Sequence, residues 1–418
     1  MIRRLNKICA MLVLLCSCSL AGNGGSAYSR YGIGDIGHFP SYRATGTGGG
    51  GIAAISGTSV GAYNPAAWAH LSTTMFSAGV LYQGYSTKDD SSSEYLGSAS
   101  FNHIALAIPV AAASGIVFGA GLSSFSEVNY DIVSVFPFNG IDSKLEYRGS
   151  GGLTAAHIGF SASARKSFHF GTKLNYYFGT IRHTVNQKFS STDYTSSSVE
   201  RTARLKGIGF TFGCIYGGLS DLFGLPEMRT LDFGAVFSPV SYLNSSNEKY
   251  LEYTTDRIAA RDTAAEKDSK VLLPASAGFG LAYRTESFLL TGEVFYQNWA
   301  RYDARGVNRS DYRDSWRYNA GAELLPRREV YSTFLQRISF QLGTYYNSTY
   351  YRIGGEPLNE IGVTGGAGLP VFRDGRIYIA AEYGIRGTTD MHRTKDNILR
   401  IFISLNSGER WFVKAEEE

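Results

Sequence analysis

From Met75 to Asn406 the chain repeats segments of about ten residues in which apolar side chains alternate with polar or small ones. Ile398–Asn406 shows the pattern. Leu399, Ile401, Ile403 and Leu405 fall on one face, and Arg400, Phe402, Ser404 and Asn406 on the other. Side chains of a strand point to alternate sides, so one face is continuously apolar and the other mostly polar. A soluble sandwich can show this alternation. A chain that keeps it throughout, behind a secretory leader, meets the requirement of a barrel in lipid, with hydrocarbon outside and water or a plug inside. The fold class expected is all-β, a transmembrane antiparallel β-barrel of about fourteen strands with an N-terminal plug in its lumen.

The leader sets the compartment. Arg3, Arg4 and Lys7 precede an apolar stretch from Ile8 to Leu15, too short to cross a bilayer as a helix. It reads as a signal peptide, residues 1–21, with Ser19 and Ala21 placed for cleavage. Cleavage after Ala27 is the alternative, and Leu15-Cys16-Ser17-Cys18 leaves lipidation at Cys18 as a third reading. No later run of about twenty apolar residues is present. The localisation expected is the outer membrane of a Gram-negative bacterium, with its lipid as a partner.

Three of the four cysteines lie in the leader. Cys214 alone can form no internal disulfide and no structural zinc site, so neither metal nor cofactor is expected. In the period-2 reading it shares an outward face with Ile208, Phe210, Phe212 and Tyr216. The 28 tyrosines suit membrane interfaces and tight lumen packing. A net charge of +4 without a compact basic run argues against nucleic acid as a partner.

Residues 22–74 lack the alternation of the rest of the chain. They carry Tyr28-Ser29-Arg30-Tyr31-Gly32-Ile33-Gly34-Asp35, the glycine-rich run Gly46–Gly51, and Asn64-Pro65-Ala66, with no clean period. The run lacks the lysine and hydroxyl residue of a phosphate loop. A compact, irregular segment packed against something else is expected. Strand cores then extend from Phe76–Tyr85 to Ile398–Asn406, making residues 75–406 the barrel and 407–418 a periplasmic tail. Connections alternate in length. Short ones lie at Ala111–Ser114 and Arg284–Glu286, and long polar segments at Ser124–Gly151, Gln187–Ala203 and Asn244–Lys270. Short periplasmic turns and long external loops are the barrel pattern.

The leader, the glycine-rich segment with Asn64-Pro65-Ala66, and the strand number together resemble the FadL/TodX family of outer-membrane transporters, in particular members from the Bacteroidetes group. The resemblance implies that Asn64, Pro65 and Ala66 are the family's plug motif. It also implies passive uptake of hydrophobic or amphipathic small molecules, such as long-chain fatty acids, past a plug. The tail after the last strand departs from barrels that end on an aromatic residue.

The alternation turns His103, His157, Lys173, Asp232, Glu293, Glu323, Glu382, Arg386 and Arg400 inward. Most such groups pair across neighbouring strands. Lys173, Glu382, Arg386 and Arg400 are the candidates for plug anchoring or for gripping an anionic head group, since arginine holds a carboxylate with two parallel hydrogen bonds. Tyr242, Tyr250, Tyr253, Tyr346, Tyr350 and Tyr351 suit either an external apolar pocket or the interfacial girdle. No catalytic residues are expected, because seven scattered histidines show no metal-binding pair and no glycine-flanked nucleophile serine occurs. The alternative to transport is a barrel that docks surface or secretion proteins.

Overall fold

The computed structural model describes residues 25–411 except 38–41, 58, 62, 90–91, 166, 192–193, 227–228, 256–257, 305–308, 328, 330, 372–374, 391–393 and 410. The leader, with its cleavage and lipidation sites, and residues 412–418 lie outside that range. The strands are β1 (Asp35–Ile36), β2 (Thr74–Lys88), β3 (Ser93–Ala111), β4 (Ile116–Phe138), β5 (Ile141–Arg165) and β6 (Phe168–Phe189). They continue with β7 (Ser196–Tyr216), β8 (Thr230–Ser238), β9 (Ser241–Thr255), β10 (Ile258–Leu273), β11 (Ser276–Arg284) and β12 (Phe288–Gln297). The last are β13 (Ser315–Leu324), β14 (Ser339–Ile353), β15 (Glu356–Pro370), β16 (Gly375–Gly387) and β17 (Lys395–Glu409).

β2 to β17 close on themselves, with Arg400 of β17 opposite Gln83 of β2. β7 pairs with both β8 and β9, while β11 pairs with β8 and β10 with β9. Each couple is therefore one wall strand in two pieces, broken at Pro239 and Pro274, which cannot donate to a ladder. The wall is thus a closed antiparallel barrel of fourteen strands. Its last strand runs to Glu409, three residues beyond the expected end at Asn406.

The outside is apolar. Ile158, Phe160, Ile208, Phe210, Ile361 and Val363 are all exposed large side chains, whereas Arg400, Phe402, Ser404 and Asn406 are buried within. Only a surrounding hydrocarbon layer makes such an exterior favourable. Cys214 lies on this face between Phe212 and Tyr216, and no helix among the described residues is long and apolar enough to cross a membrane.

The three long polar segments expected as loops are largely strand instead. β4 and β5 pair up to Phe138 and Ile141 and turn at Asn139-Gly140, both with positive φ, the backbone of a tight hairpin turn. β6–β7 and β9–β10 also pair along most of their length. Beyond the hydrocarbon both faces of a strand meet other surroundings, so the apolar alternation that marks a strand in lipid ends while the hydrogen-bonded ladder continues. The wall is consequently lopsided: β4 to β7 run 23, 25, 22 and 21 residues, against 10 each for β12 and β13.

Candidate functional site

The described part of the N-terminal segment, residues 25 to 71, packs against the inward faces of the strands. Ser26 caps a short 3-10 turn, Ala27–Arg30, and its hydroxyl donates to Asp396 of β17 at 2.6 Å. Ser29 bridges to β4: its hydroxyl donates to the Asn129 carbonyl at 2.9 Å, and the Asn129 N–H donates back at 3.0 Å. β1 then pairs with β4, Asp35 opposite Glu127 and Ile36 opposite Ser126. This ladder begins where β3 has parted from β4, whose last shared pair is His103 and Ser123. β1 therefore occupies an edge of β4 that β3 leaves open. Gly34 makes the approach possible: its φ is +90°, and a Cβ there would stand 2.2 Å from the Glu127 carbonyl oxygen.

The glycine run comes next along the chain. A Cβ on Gly321 or Gly343 of the wall would meet Thr47 O at 2.5 Å or Gly48 N at 2.3 Å, so backbone packs on backbone. Gly51, Ile52 and Ala53 turn their N–H groups onto one carboxylate oxygen of Glu293 on β12, at 2.8, 2.7 and 3.3 Å. Three convergent amides form an anion-binding concavity, here filled by the barrel's own carboxylate. The sequence places Glu293 in the lumen but gives no sign of this partner, because 242 residues separate Glu293 from Gly51.

Asn64-Pro65-Ala66 opens a second 3-10 turn, Pro65–His70. The Asn64 side-chain oxygen accepts from the Ala66 N–H at 3.0 Å, and proline at the first position loses no needed donor. The Asn64 amide nitrogen donates to Ile52 O at 2.7 Å, to Cys214 O of β7 at 3.1 Å and to Ala235 O of β8 at 3.4 Å. The wall beneath is glycine. A Cβ on Gly213 would lie 2.0 Å from the Asn64 side-chain oxygen, and one on Gly171 would lie 2.5 Å from the Pro65 carbonyl carbon. His70, at the end of the turn, packs its ring 4.2 Å from that of His169. Burial, with the nearby His169 and Arg284, pushes its pKa down to about 4, so it is neutral near pH 7.

Three of the four lumen candidates, Glu382, Arg386 and Arg400, take part in an ionic network across β15 to β17. Arg386 grips Asp35 with two hydrogen bonds, 2.9 and 3.1 Å, and reaches Asp396 at 3.3 Å. Arg400 bonds Glu360 at 3.0 Å and also bonds Glu382. The Tyr345 hydroxyl lies 2.7 and 2.6 Å from those same two carboxylates. Both guanidiniums are thus paired with carboxylates of the protein, Arg386 with the inner segment through Asp35 and Arg400 with Glu360 and Glu382 of the wall. Asp35, Glu360 and Asp396 are partners that the alternation did not single out. Lys173 lies on the inward face of β6, between Gly171 and Asn175, five strands round the wall from β17 and apart from this network. His103 bonds Ser77 at 2.7 Å, and His157 stacks on Trp68. Among the described residues no cluster of three metal-ligating side chains occurs.

A cavity of about 80 Å³ adjoins the network, lined by Asp35, Gln83, Glu127, Trp299, Arg386 and Arg400. Drug-sized ligands occupy roughly 300–1,000 Å³, so this cavity is too small to hold one. The inner surface toward the long strand ends is apolar, with Val128, Leu153, Ile181, Leu205 and Leu243 of the wall packed in one cluster with Tyr28 and Ile33. The six tyrosines divide. Tyr350 and Tyr351 are buried in this cluster, Tyr350 stacking on Trp299 at 4.1 Å, while Tyr242 and Tyr346 point outward, Tyr253 is exposed on the opposite face of β9 from Tyr242, and the Tyr250 hydroxyl donates to Glu248 at 2.6 Å.

A family model described as BamG matches residues 1–416. No curated protein sequence matches. Among solved structures, the Pseudomonas putida toluene transporter TodX superposes with a TM-score of 0.60 at 14% identity, over 91% of this chain and 100% of that one. The Ralstonia pickettii toluene transporter TbuX gives 0.58 at 14% over 88% and 97%, and the monoaromatic hydrocarbon channel CymD gives 0.58 at 12% over 92% and 100%. At these identities the likeness is one of fold.

Proposed function

The chain belongs to the BamG family, and we propose that it is an outer-membrane channel for passive entry of hydrophobic or amphipathic small molecules, closed at rest by residues 25–71. The observation that carries this reading is the apolar lining of the lumen toward the long strand ends, directly beside the ion-paired inner segment. Lumens that pass polar solutes are polar. An apolar one lowers the free energy of a hydrocarbon guest by about 25 cal/mol for each Å² of its surface removed from water. The toluene and monoaromatic specificities named for TodX, TbuX and CymD make aromatic hydrocarbons the first guests to try, with long-chain fatty acids as the amphipathic comparison. In this reading the ends of β2 and β17 at Thr74 and Glu409 face the periplasm, and the tall sheet from β4 to β10 stands outside the cell. Ser26 and Ser29 pack toward the opposite rim, against Asp396 and Asn129, contrary to a periplasmic start of the segment. Liposomes carrying the protein should take up toluene or oleate faster than empty ones, with no matching gain for a sugar of similar size. Equal rates for both kinds of solute overturn it.

A second reading, docking of surface or secretion proteins, draws on that tall sheet, which rises well past what a bilayer crossing of about 9–11 residues per strand needs. Failure of uptake together with specific capture of an outer-membrane partner by the intact barrel would favour it.

A further inference from the structure

We propose that the outer wall carries a binding site for the phosphate of a phosphorylated glycolipid in the outer leaflet, built from Lys206, Lys270 and Arg204. The proposal rests on the outer-membrane placement and not on transport. Three strands contribute. Lys206 lies opposite Phe178 on one side and Asn244 on the other, and Asn244 lies opposite Lys270. Phe178, Lys206, Asn244 and Lys270 therefore form one row across β6, β7, β9 and β10. Arg204 and Ser246 pair in the next row outward.

The row sits at the edge of the apolar exterior. Lys206 shares its strand face with Ile208, Phe210 and Phe212, which are 56%, 47% and 48% exposed. Phe178 is stacked on Tyr176 with ring centroids 5.7 Å apart, and Tyr242, one row inward of Asn244 on β9, is also exposed. Aromatic rings of this kind mark the membrane–water boundary. Basic groups in the row of Phe178, one row beyond Tyr176 and Tyr242, stand at the depth of lipid head groups, where each attracts an anionic lipid.

The geometry is that of a receptor rather than of scattered charge. Arg204, Lys206, Asn244, Ser246, Asp268 and Lys270 border one exterior groove of about 650 Å³. Arg204 is held by Glu248 at 2.5 Å, which fixes its guanidinium at the groove's edge. Lys206 and Lys270 meet no carboxylate among the described residues at ion-pair distance, so their ammonium groups face outward with hydrogen-bonding capacity in hand. Two strand spacings of 4.7–4.9 Å set them roughly 10 Å apart across Asn244. Asn244 and Ser246 add neutral donors between them. A phosphate here gains charge-assisted hydrogen bonds while the acyl chains of the same molecule lie on Ile208, Phe210 and Phe212. Asp268 opposes any anion and keeps the net charge of the groove low. Free phosphate, with no acyl chains to bury, gains only the polar half of this interaction.

Full-length protein purified in detergent, incubated with bisphosphorylated lipid A and read by native mass spectrometry, tests the site. Wild type should retain the lipid, and dephosphorylated lipid A should be retained much less. Lys206→Gln with Lys270→Gln should reduce retention by about five-fold for each lysine. Lys206→Arg with Lys270→Arg should keep it. Lys144→Gln with Lys188→Gln, farther out on the same face and bonded to Glu146, should change retention less than about two-fold. Heat-modifiable migration on gels reports assembly of each variant. If the double glutamine variant does not assemble, Lys270→Gln alone is read the same way. Equal retention by wild type and the assembled glutamine variant, equal retention of dephosphorylated lipid, or complete displacement of lipid A by millimolar inorganic phosphate would each overturn the proposal.

Discussion

Asp35 of the inner segment and Arg386 of β16 are joined by two hydrogen bonds, 2.9 and 3.1 Å, across a sequence separation of 351 residues. Arg386 is almost fully buried, and its other neighbours, Asp396 and Glu360, are carboxylates of the wall. Asp35 also pairs through its backbone with Glu127 on β4. One residue thus ties the segment to two separate parts of the wall, by charge on one side and by strand pairing on the other.

Asp35→Asn should loosen this tie while leaving the barrel intact. Breaking a buried pair by removing one partner costs about 3–5 kcal/mol, though the surplus of wall carboxylates around Arg386 offsets part of it here. The expected outcome is a rise in single-channel conductance or opening frequency in planar bilayers, with unchanged heat-modifiable migration. Arg386→Gln should be more damaging, because it leaves Asp35 and Asp396 without their cation, while Glu360 keeps Arg400. A silent Asp35→Asn would show that the pair does not hold the segment in place.

Asn64→Ala removes a helix cap and three donated hydrogen bonds to Ile52, Cys214 and Ala235. A lost cap costs about 1 kcal/mol, and each buried carbonyl left unsatisfied adds roughly 1–3 kcal/mol. Gly213→Ala attacks the same contact from the wall, since its methyl group would overlap the Asn64 side-chain oxygen. Both should make residues 25–71 more accessible to protease in assembled barrels. The double variant should be less than additive, because truncating Asn64 makes room for the methyl group. Full additivity would place the two effects at separate contacts.

The alternation reveals every wall strand where it crosses the apolar belt, because there the two faces meet hydrocarbon and lumen and the sequence must differ between them. It is silent on the tall sheet. Arg148, Glu146 and Lys188 lie on strands yet read as a polar loop, since water suits both faces. Arg386 and Arg400 could be placed together because their strands are consecutive in the chain and therefore neighbours in the wall. Asp35 could not, as it sits in a stretch without period and meets Arg386 only once the barrel has closed. The Glu293 site has the same character: the acceptor belongs to a strand, and its donors are backbone groups that carry no side-chain signature.

Lipid exposure gives a test of the wall itself. Val363, 57% exposed near the middle of β15, faces hydrocarbon. Val363→Arg should cost roughly 2–4 kcal/mol in assembly, whereas Val363→Leu should be close to neutral. The folded fraction after dilution from urea into detergent or liposomes reads both. Equal yields would contradict the assignment of faces.

Acid should weaken docking of residues 25–71 through His70. Its pKa in the packed state is about 4, below the ordinary histidine value, so an undocked segment takes up a proton that the docked one refuses. Docking strength is fully present above about pH 6.5 and declines as the pH falls toward 4. Protease accessibility measured between pH 7 and 4.5 should rise in wild type. His70→Gln, which cannot titrate, should reduce that rise, leaving the share owed to the carboxylates. An identical profile in both proteins would remove His70 from the account.

Deletion of Ser29–Gly61 bears most directly on function. It removes β1, the Asp35 contact and the Glu293 cradle, but no wall strand, so the β17–β2 seam and the remaining ladders are untouched. The barrel should still assemble, at some cost, because Glu293, Arg386 and the glycine-lined wall lose their partners and meet water instead. Lumen water can solvate those groups, which is why the loss is bearable in a barrel and would not be in a dry core. Conductance in planar bilayers should rise, because barrel diameter grows with strand number and fourteen strands enclose a lumen wider than wall side chains alone fill. Selectivity for hydrophobic solutes should fall with it, since polar solutes would gain a water-filled path. A folded deletion variant whose conductance matches wild type would mean that something other than residues 29–61 closes the lumen, and would shift the balance toward the docking reading.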